Sequence, residues 1–306
     1  NPYSGTSGLN EVSGLDGTSQ AVTINTDLLC NLEVLDSNVS AKYGKFTGGV
    51  ISATTCAPTT EVGKIHGSIN YDYTNSSWNR FNYIDTDEEA EFNDPAQTSA
   101  QKNFTKQGLS FNTYGRLTEK FGLNFGISQR SSDIKAASSL KDSRAYNEER
   151  ELNNASLDMF YDPSEDLSIK LSFQHQEDEK LRFISNTLTD GIHQSSDNNA
   201  INLNIDKKLD NVTIKQNASY QEKQNERISS TDNQYSWYNS DDKNWGTTTL
   251  STEGTSGTIF SKQKTFEYNT QAEFTPFKFL ALTHQFNIGA GYSHNEANWV
   301  RPNDFT

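Results

Sequence analysis

From Lys64 onward, hydrophobic and polar residues alternate along the chain with a period of two. In the stretch GKIHGSINYDY, Ile65, Ile69 and Tyr71 fall on one face of an extended chain, and His66 and Asn70 fall on the other. This alternation is typical of a β-strand with one apolar and one polar side. Segments with the same alternation recur, and they predict about nine strands. The predicted strands are 64–73, 109–117, 121–127, 157–161, 167–173, 201–205, 212–220, 266–274 and 282–292.

The connections between these predicted strands alternate between short and long. The short ones read TEKFG, DPSEDL, KKLDN and TPFKFLA, and residues such as Pro, Asp, Asn and Gly favour tight turns. The long ones are polar and span residues 80–102, 128–150, 174–199 and 223–264. This asymmetry predicts an up-and-down antiparallel meander, and it is typical of outer-membrane barrels, which have short periplasmic turns and longer extracellular loops.

The chemistry of the two faces bears on what surrounds the predicted sheet. A β-sandwich buries its apolar face against a second sheet, whereas a membrane barrel turns that face to lipid and keeps a polar lumen. The polar faces here are rich in Asn, Ser, Lys, Asp and Gln, and aromatic residues such as Tyr73, Tyr161 and Tyr292 gather at strand ends, as in an interfacial girdle. We therefore favour a transmembrane antiparallel β-barrel, with a sandwich as the alternative.

Composition and charge narrow the possible functions. Hydrophobic residues make up 32% of the 306 residues, but 17 Phe, 13 Tyr and 4 Trp are far more aromatic residues than a disordered chain carries. The net charge of −14 argues against nucleic acid as a partner, because phosphate binding needs clustered Lys and Arg. Acidic residues are concentrated in Asp85–Asp94 and Gln176–Lys180, which we predict to be solvated loops.

The segment LEVLDSNVSAKYGKFTGGVISATT (Leu32–Thr55) precedes the regularly alternating strands and does not belong to their pattern. It resembles the end of the plug domain of TonB-dependent outer-membrane receptors, and the residues that carry the plug motif are Glu33, Tyr43, Gly44, Gly48 and Gly49. The glycines permit positive φ and close backbone approach. By itself the segment would also fit a Gly-rich turn between two ordinary strands, but a first barrel strand follows immediately, and this favours the plug.

The resemblance implies a domain organisation and a function. Residues 1–60 would be the C-terminal part of the plug, and residues 61–306 would be the N-terminal part of a barrel with long extracellular loops. Barrels of this family have about 22 strands, so we expect the nine strands here to leave the barrel unclosed and the natural chain to continue beyond Thr306. The location would be the bacterial outer membrane, with outer-membrane lipid around the barrel.

The function implied is import of a scarce nutrient, driven by rearrangement of the plug through the TonB complex of the inner membrane. A ferric siderophore is the leading substrate, and haem, cobalamin and oligosaccharide are alternatives within this class of small-molecule or metal-chelate ligands. A second hypothesis is a structural or adhesive outer-membrane β-protein whose loops bind an extracellular or surface protein partner. A TonB box upstream of residue 1 would discriminate between the two, because only the receptor needs one.

Six residues are candidates for ligand binding. By resemblance, the plug apex that faces the outer cavity would lie at Thr18, Ser19 and Gln20. In the aromatic-rich loop YSWYNSDDKNW, Trp237, Tyr238 and Trp245 could stack on a ligand, or they could equally pack the loop against itself.

The resemblance also implies a disulfide between Cys30 and Cys56. In the plug, the two strands that carry these cysteines lie in one small sheet, and the periplasm and cell surface are oxidising; two free thiols are the alternative. The five histidines are scattered, without metal-ligand spacing, and the sequence lacks a nucleophile elbow or a P-loop. We therefore predict no enzymatic activity, no cofactor and no metal site.

Overall fold

A computed structural model of the chain describes residues 28–35, 50–58, 61–93, 103–138, 140–142, 145–184, 186–255, 257–280 and 282–303. Within these ranges no helix is long and apolar enough to cross a membrane. The described residues form sixteen strands, one α-helix and the 3-10 helix Ser76–Trp78. The elements are β1 (Leu29–Leu35), β2 (Val50–Thr55), β3 (Ile65–Asn75), α1 (Thr86–Asn93), β4 (Asn103–Arg116), β5 (Phe121–Ala137), β6 (Ala145–Ser164), β7 (Leu167–Arg182), β8 (Thr187–Leu188), β9 (Ile192–Lys208), β10 (Val212–Ser229), β11 (Gln234–Tyr238), β12 (Leu250–Gly254), β13 (Ile259–Phe274), β14 (Phe277–Phe279), β15 (Leu282–His284) and β16 (Asn287–Val300).

Nine of these strands form one antiparallel sheet, called the large sheet below. Its order is β16-β13-β10-β9-β7-β6-β5-β4-β3, so each strand pairs with the next long strand along the chain. The predicted meander of nine strands is confirmed. Strands β3 and β16 lie at the two edges of the sheet and do not pair with each other in the described part of the chain.

Several strands extend well beyond the segments where alternation is visible. Strand β5 continues to Ala137, β6 begins at Ala145, and β7 continues to Arg182. The prediction that residues 128–150 and 174–199 form loops is therefore wrong for most of these residues. The acidic stretch Gln176–Lys180 lies within β7. In these extensions both faces carry polar side chains, so the period of two disappears from the sequence while the backbone pairing continues.

The turn before the ninth strand of the large sheet was also predicted incorrectly. Residues Leu282–His284 do not belong to that strand; they form β15, which pairs with β14 in a separate hairpin. Strand β16 begins only at Asn287.

The acidic segment after β3 is helical rather than a plain loop. The Asp85 carboxylate accepts hydrogen bonds from the backbone N–H groups of Asp87, at 3.1 Å, and Glu88, at 2.9 Å, which satisfies donors that the first turn of α1 leaves open. Acidic residues in that turn also favour the positive end of the helix. The helix is anchored where the Phe92 ring packs on the Phe81 ring, with centroids 4.5 Å apart.

The large sheet has an inverted polarity, with polar side chains on its inner face and apolar side chains on its outer face. Its inner face carries polar side chains that are buried, such as Asn124 and Asp158, which are 1% and 2% exposed. Its outer face carries apolar side chains that are exposed, such as Phe125 at 37% and Ile288 at 63%. A sandwich would bury the apolar face instead. The arrangement is that of a membrane barrel with lipid outside and a polar lumen inside.

Candidate functional site

The N-terminal described residues form a separate two-stranded antiparallel sheet of β1 and β2, called the small sheet below. Glu33 pairs with Ser52 in the middle of this sheet. A disulfide joins Cys30 and Cys56, whose Cα atoms are 4.9 Å apart. The predicted bridge is therefore present, and it closes the end of the small sheet at which β1 begins and β2 ends.

The small sheet and the residues beside it lie against the inner face of the large sheet, where two glycines make room. A Cβ added at Gly126 of β5 would lie 2.8 Å from Leu28 Cδ2, and one added at Gly122 would lie 2.4 Å from Pro58 Cγ. Leu28 and Pro58 are both buried. A larger residue at Gly122 would displace the rigid ring of Pro58, and one at Gly126 would force the Leu28 side chain to shift.

A polar contact joins the small sheet to the same wall. The Thr55 hydroxyl donates a hydrogen bond to the Asp158 carboxylate of β6 and accepts one from Lys170 Nζ of β7, at 3.3 Å. Lys170 Nζ also lies 3.3 Å from the Asp158 carboxylate. Asp158 is 2% exposed, so its charge needs the partner that Lys170 supplies.

The segment that follows the small sheet is held at the turn end of the large sheet by Arg116. Its Nε donates to the Pro58 carbonyl at 3.4 Å, and its Nη1 donates to the Glu119 carbonyl at 3.0 Å. Its Nη2 lies 3.4 Å from the Asp162 carboxylate. The chain between the two sheets is thus tied to the β4–β5 turn and to the end of β6.

The opposite end of the large sheet carries a three-stranded sheet, called the loop sheet below, in the order β11-β12-β8. Residues that hold it in place, Thr187, Ser251 and Thr255, are fully buried. The Ser251 hydroxyl accepts hydrogen bonds from the backbone N–H groups of Trp245 and Gly246, both at 3.0 Å. The aromatic-rich loop is therefore folded rather than extended into solvent.

In the loop sheet and the connection between β11 and β12, two tryptophans surround one ammonium group. Lys243 Nζ lies 4.8 Å from the ring centroid of Trp237 and 5.2 Å from that of Trp245, within the range of cation–π attraction. The Glu253 carboxylate lies 2.7 Å from Lys243 Nζ and accepts a hydrogen bond from the Trp237 indole N–H at 2.9 Å. The hydrogen bond from Lys243 is the main cause that lowers the pKa of Glu253.

The structure brings two of the six predicted ligand residues together. Trp237 and Trp245 meet around Lys243, whereas Tyr238 follows Trp237 in β11 and is 83% exposed. Thr18, Ser19 and Gln20 lie outside the described residues, as do Tyr43, Gly44, Gly48 and Gly49 of the plug motif.

Sequence reasoning missed the residues that make the polar contacts. Asp158, Lys170, Lys243 and Glu253 look like any other charged residues on polar faces or in loops, and no spacing in the sequence marks them. Thr55 had a weak signal, since it precedes Cys56 at the end of the plug-like segment. Among the described residues, no group of three or more His, Cys, Asp or Glu could hold a metal ion.

Comparison with known proteins places this geometry among outer-membrane proteins. No protein-family model matches the chain. Over 131 residues, which are 41% of this chain and 16% of the relative, the sequence is 33% identical to an Escherichia coli (strain K12) protein described as "Uncharacterized protein YddB". The crystal structure of the outer membrane transporter YddB from Escherichia coli aligns with a TM-score of 0.76 and 21% identity, over 94% of this chain and 38% of that one.

Siderophore receptors named PirA have a more distant likeness. The receptor from Acinetobacter baumannii aligns with a TM-score of 0.56 and 16% identity, over 86% of this chain and 34% of that one. The receptor from Pseudomonas aeruginosa aligns with a TM-score of 0.56 and 15% identity, over 93% and 38%. The chain thus spans less than half the length of each of these proteins. It shares the transmembrane antiparallel β-barrel fold of these bacterial outer-membrane proteins, and this confirms the predicted fold class.

Proposed function

We propose that this chain is part of an energised import receptor of the outer membrane. The observation that carries the proposal is the small sheet seated on the polar inner face of an open, barrel-type sheet, through Leu28, Thr55 and Pro58. A segment in that place obstructs the lumen. Import through an obstructed barrel requires a rearrangement that opens the lumen. The obstruction therefore favours regulated import over a passive pore.

The domain division follows from the same reasoning. We assign residues 1–60 to the C-terminal part of a plug and residues 61–306 to part of the barrel wall with its extracellular loops. The TonB complex of the inner membrane would supply the force on the plug. The role proposed is transport rather than catalysis, in keeping with the transporter and receptor descriptions of the similar structures.

A ferric siderophore is the ligand class that we propose first, because two of the similar structures are siderophore receptors. Haem, cobalamin and oligosaccharide are the alternatives. We propose that ligand contacts come from the plug apex at Thr18, Ser19 and Gln20 and from Trp237, Tyr238 and Trp245 of the loop. For the two tryptophans, a ligand would have to share or displace the ammonium group of Lys243.

The test is uptake by the full-length gene product in a bacterial host that lacks its own siderophore receptors. Cells would receive radiolabelled iron on a panel of catecholate and hydroxamate siderophores, with labelled haem and cobalamin as further arms. We expect uptake of at least one ferric chelate, and we expect it to vanish in a matched host without TonB.

Each other result has a defined meaning. Uptake of haem or cobalamin only would keep the receptor and reject the siderophore. Uptake that is independent of TonB would count against the energised receptor and in favour of a passive pore. Absence of uptake for every compound would favour the structural or adhesive alternative.

A further inference from the structure

We infer that Asp158 is a positioning residue that holds the disulfide-closed end of the small sheet in the lumen through a releasable contact with Thr55. The role of this contact in transport rests on the proposed function. The contact itself is present in the protein without ligand or TonB and does not depend on that function. Asp158 lies on β6, in the middle of the inner face and away from either edge of the large sheet.

The three side chains form a closed cycle of contacts. Thr55 donates to Asp158, Lys170 donates to Thr55, and Lys170 pairs with Asp158. The Thr55 hydroxyl is therefore both donor and acceptor, and it is the one member of the cycle that belongs to the small sheet. The Lys170 ammonium is further fixed over the Phe160 ring, 5.0 Å from its centroid, so the wall side of the contact is held independently of Thr55.

This arrangement makes the contact releasable. When Thr55 departs, Asp158 and Lys170 keep each other as partners, so no charge is left buried and unpaired on the wall. Separating a buried ion pair would be far more costly than removing a neutral hydroxyl from it. The wall can thus give up the small sheet and receive it again without a change in its own charge pairing.

The disulfide sets where the hydroxyl arrives. Thr55 is the residue before Cys56, and the bridge ties it to the start of β1, where Leu28 packs against Gly126 of β5. The bridged end therefore contacts β5, β6 and β7 at once, on three adjacent strands of the wall. We assign to the bridge the role of keeping these contacts in register, so that the end of the small sheet moves on and off the wall as one block.

The test is hydrogen–deuterium exchange of the β1 and β2 amides in the purified full-length protein. Thr55→Val removes both hydrogen bonds of the hydroxyl and keeps the side-chain shape, whereas Thr55→Ser keeps the hydroxyl. We expect Thr55→Val to speed exchange of these amides about tenfold and Thr55→Ser to leave it near the original rate. Lys215→Met is the matched control, because Lys215 makes an ion pair with Glu273, at 2.8 Å, elsewhere on the inner face.

Non-additivity separates this contact from general packing. Exchange in Thr55→Val/Asp158→Ala should be slower than the two single effects multiplied together, because both single variants lose the same Thr55–Asp158 hydrogen bond. Equal rates in the Val and Ser variants, or additive effects in the double variant, would overturn the inference. The thermal midpoint of the barrel, measured alongside, shows whether each variant is folded. Exchange does not depend on a ligand or on TonB, so this result can fail or succeed independently of the uptake test.

Discussion

At the scale of single residues, Glu253 is the group whose charge is most closely tied to the loop sheet. Its pKa lies below the ordinary 4.5 because Lys243 and Trp237 donate hydrogen bonds to it, against a partly opposing effect of burial. A carboxyl with a lowered pKa in the folded protein contributes stability that is fully present above the unfolded pKa and is lost as the pH falls through the folded one.

We therefore predict that tryptophan fluorescence stays constant from neutral pH down to about 4.5 and changes below it, as Glu253 is protonated and Lys243 loses its ion pair. A fluorescence titration of the purified protein checks this. Glu253→Gln should abolish the transition, and Trp237→Phe should remove most of its amplitude, while Trp299→Phe should not. A transition that persists unchanged in Glu253→Gln would show that another group is responsible.

Residue chemistry was predictable only where the residue type itself is informative. The aromatic loop and the two cysteines stood out because Trp and Cys are rare in this chain, with four and two copies. That Trp237 and Trp245 would enclose Lys243 could not be foreseen, because the contact depends on the loop folding back through β12. The Thr55–Asp158 contact joins residues 103 positions apart, and no local pattern encodes such a pair.

At the scale of elements, the extensions of the strands carry an electrostatic cost. Glu151 of β6 lies directly opposite Glu179 of β7, and Glu177 of β7 lies opposite Asp197 of β9, all on the outer face. Like charges at directly opposed positions destabilise a sheet. The continuous backbone pairing of the extensions outweighs this repulsion.

We predict that Glu179→Gln stabilises the protein by about 0.2–1 kcal/mol at low ionic strength and has little effect in 1 M salt, where charges are screened. Unfolding by denaturant in the two salt conditions measures the difference. Glu222→Gln is the control of opposite sign, because the Glu222 carboxylate lies 2.6 Å from Lys262 Nζ and its removal breaks an attractive pair. Destabilisation by both substitutions at low salt would contradict the repulsion argument.

The strands could be predicted from the sequence where one of their faces meets lipid, and could not be predicted where they extend beyond the lipid. All nine strands of the large sheet were found from their apolar faces, because lipid demands an apolar residue at every second position. Beyond the apolar part of each strand both faces carry polar side chains, and segments such as Gln176–Lys180 read as loop although they pair within β7. The β14–β15 hairpin was missed for a related reason: its Phe and Leu residues continue the apolar pattern into the turn.

At the scale of the whole molecule, the inverted polarity could be predicted and the seating of the small sheet could not. The alternation of faces is compatible with a sandwich or a barrel, and the unequal connections decided in favour of the barrel. The position of Leu28 against Gly126 and of Pro58 against Gly122 depends on how the wall curves around the segment. That curvature is a property of the assembled sheet.

The inverted polarity leads to the final prediction, which concerns one position on each face. Leu171 of β7 lies on the outer face between Met159 and Leu203, and Asn269 of β13 lies on the inner face beside Asn217. Leu171→Arg should destabilise the full-length protein in lipid vesicles by about 2–4 kcal/mol if the position is near the bilayer midplane, because lipid cannot solvate the charge. Asn269→Arg should cost much less, because its side chain is exposed on the polar inner face.

Denaturant unfolding in vesicles measures both values, and Leu171→Ala separates the loss of apolar volume from the introduction of charge. Similar penalties at Leu171 and Asn269 in lipid would mean that the outer face does not meet the membrane. The order of penalties Leu171→Arg, then Leu171→Ala, then Asn269→Arg is the one expected for an apolar outer face in lipid and a polar inner face.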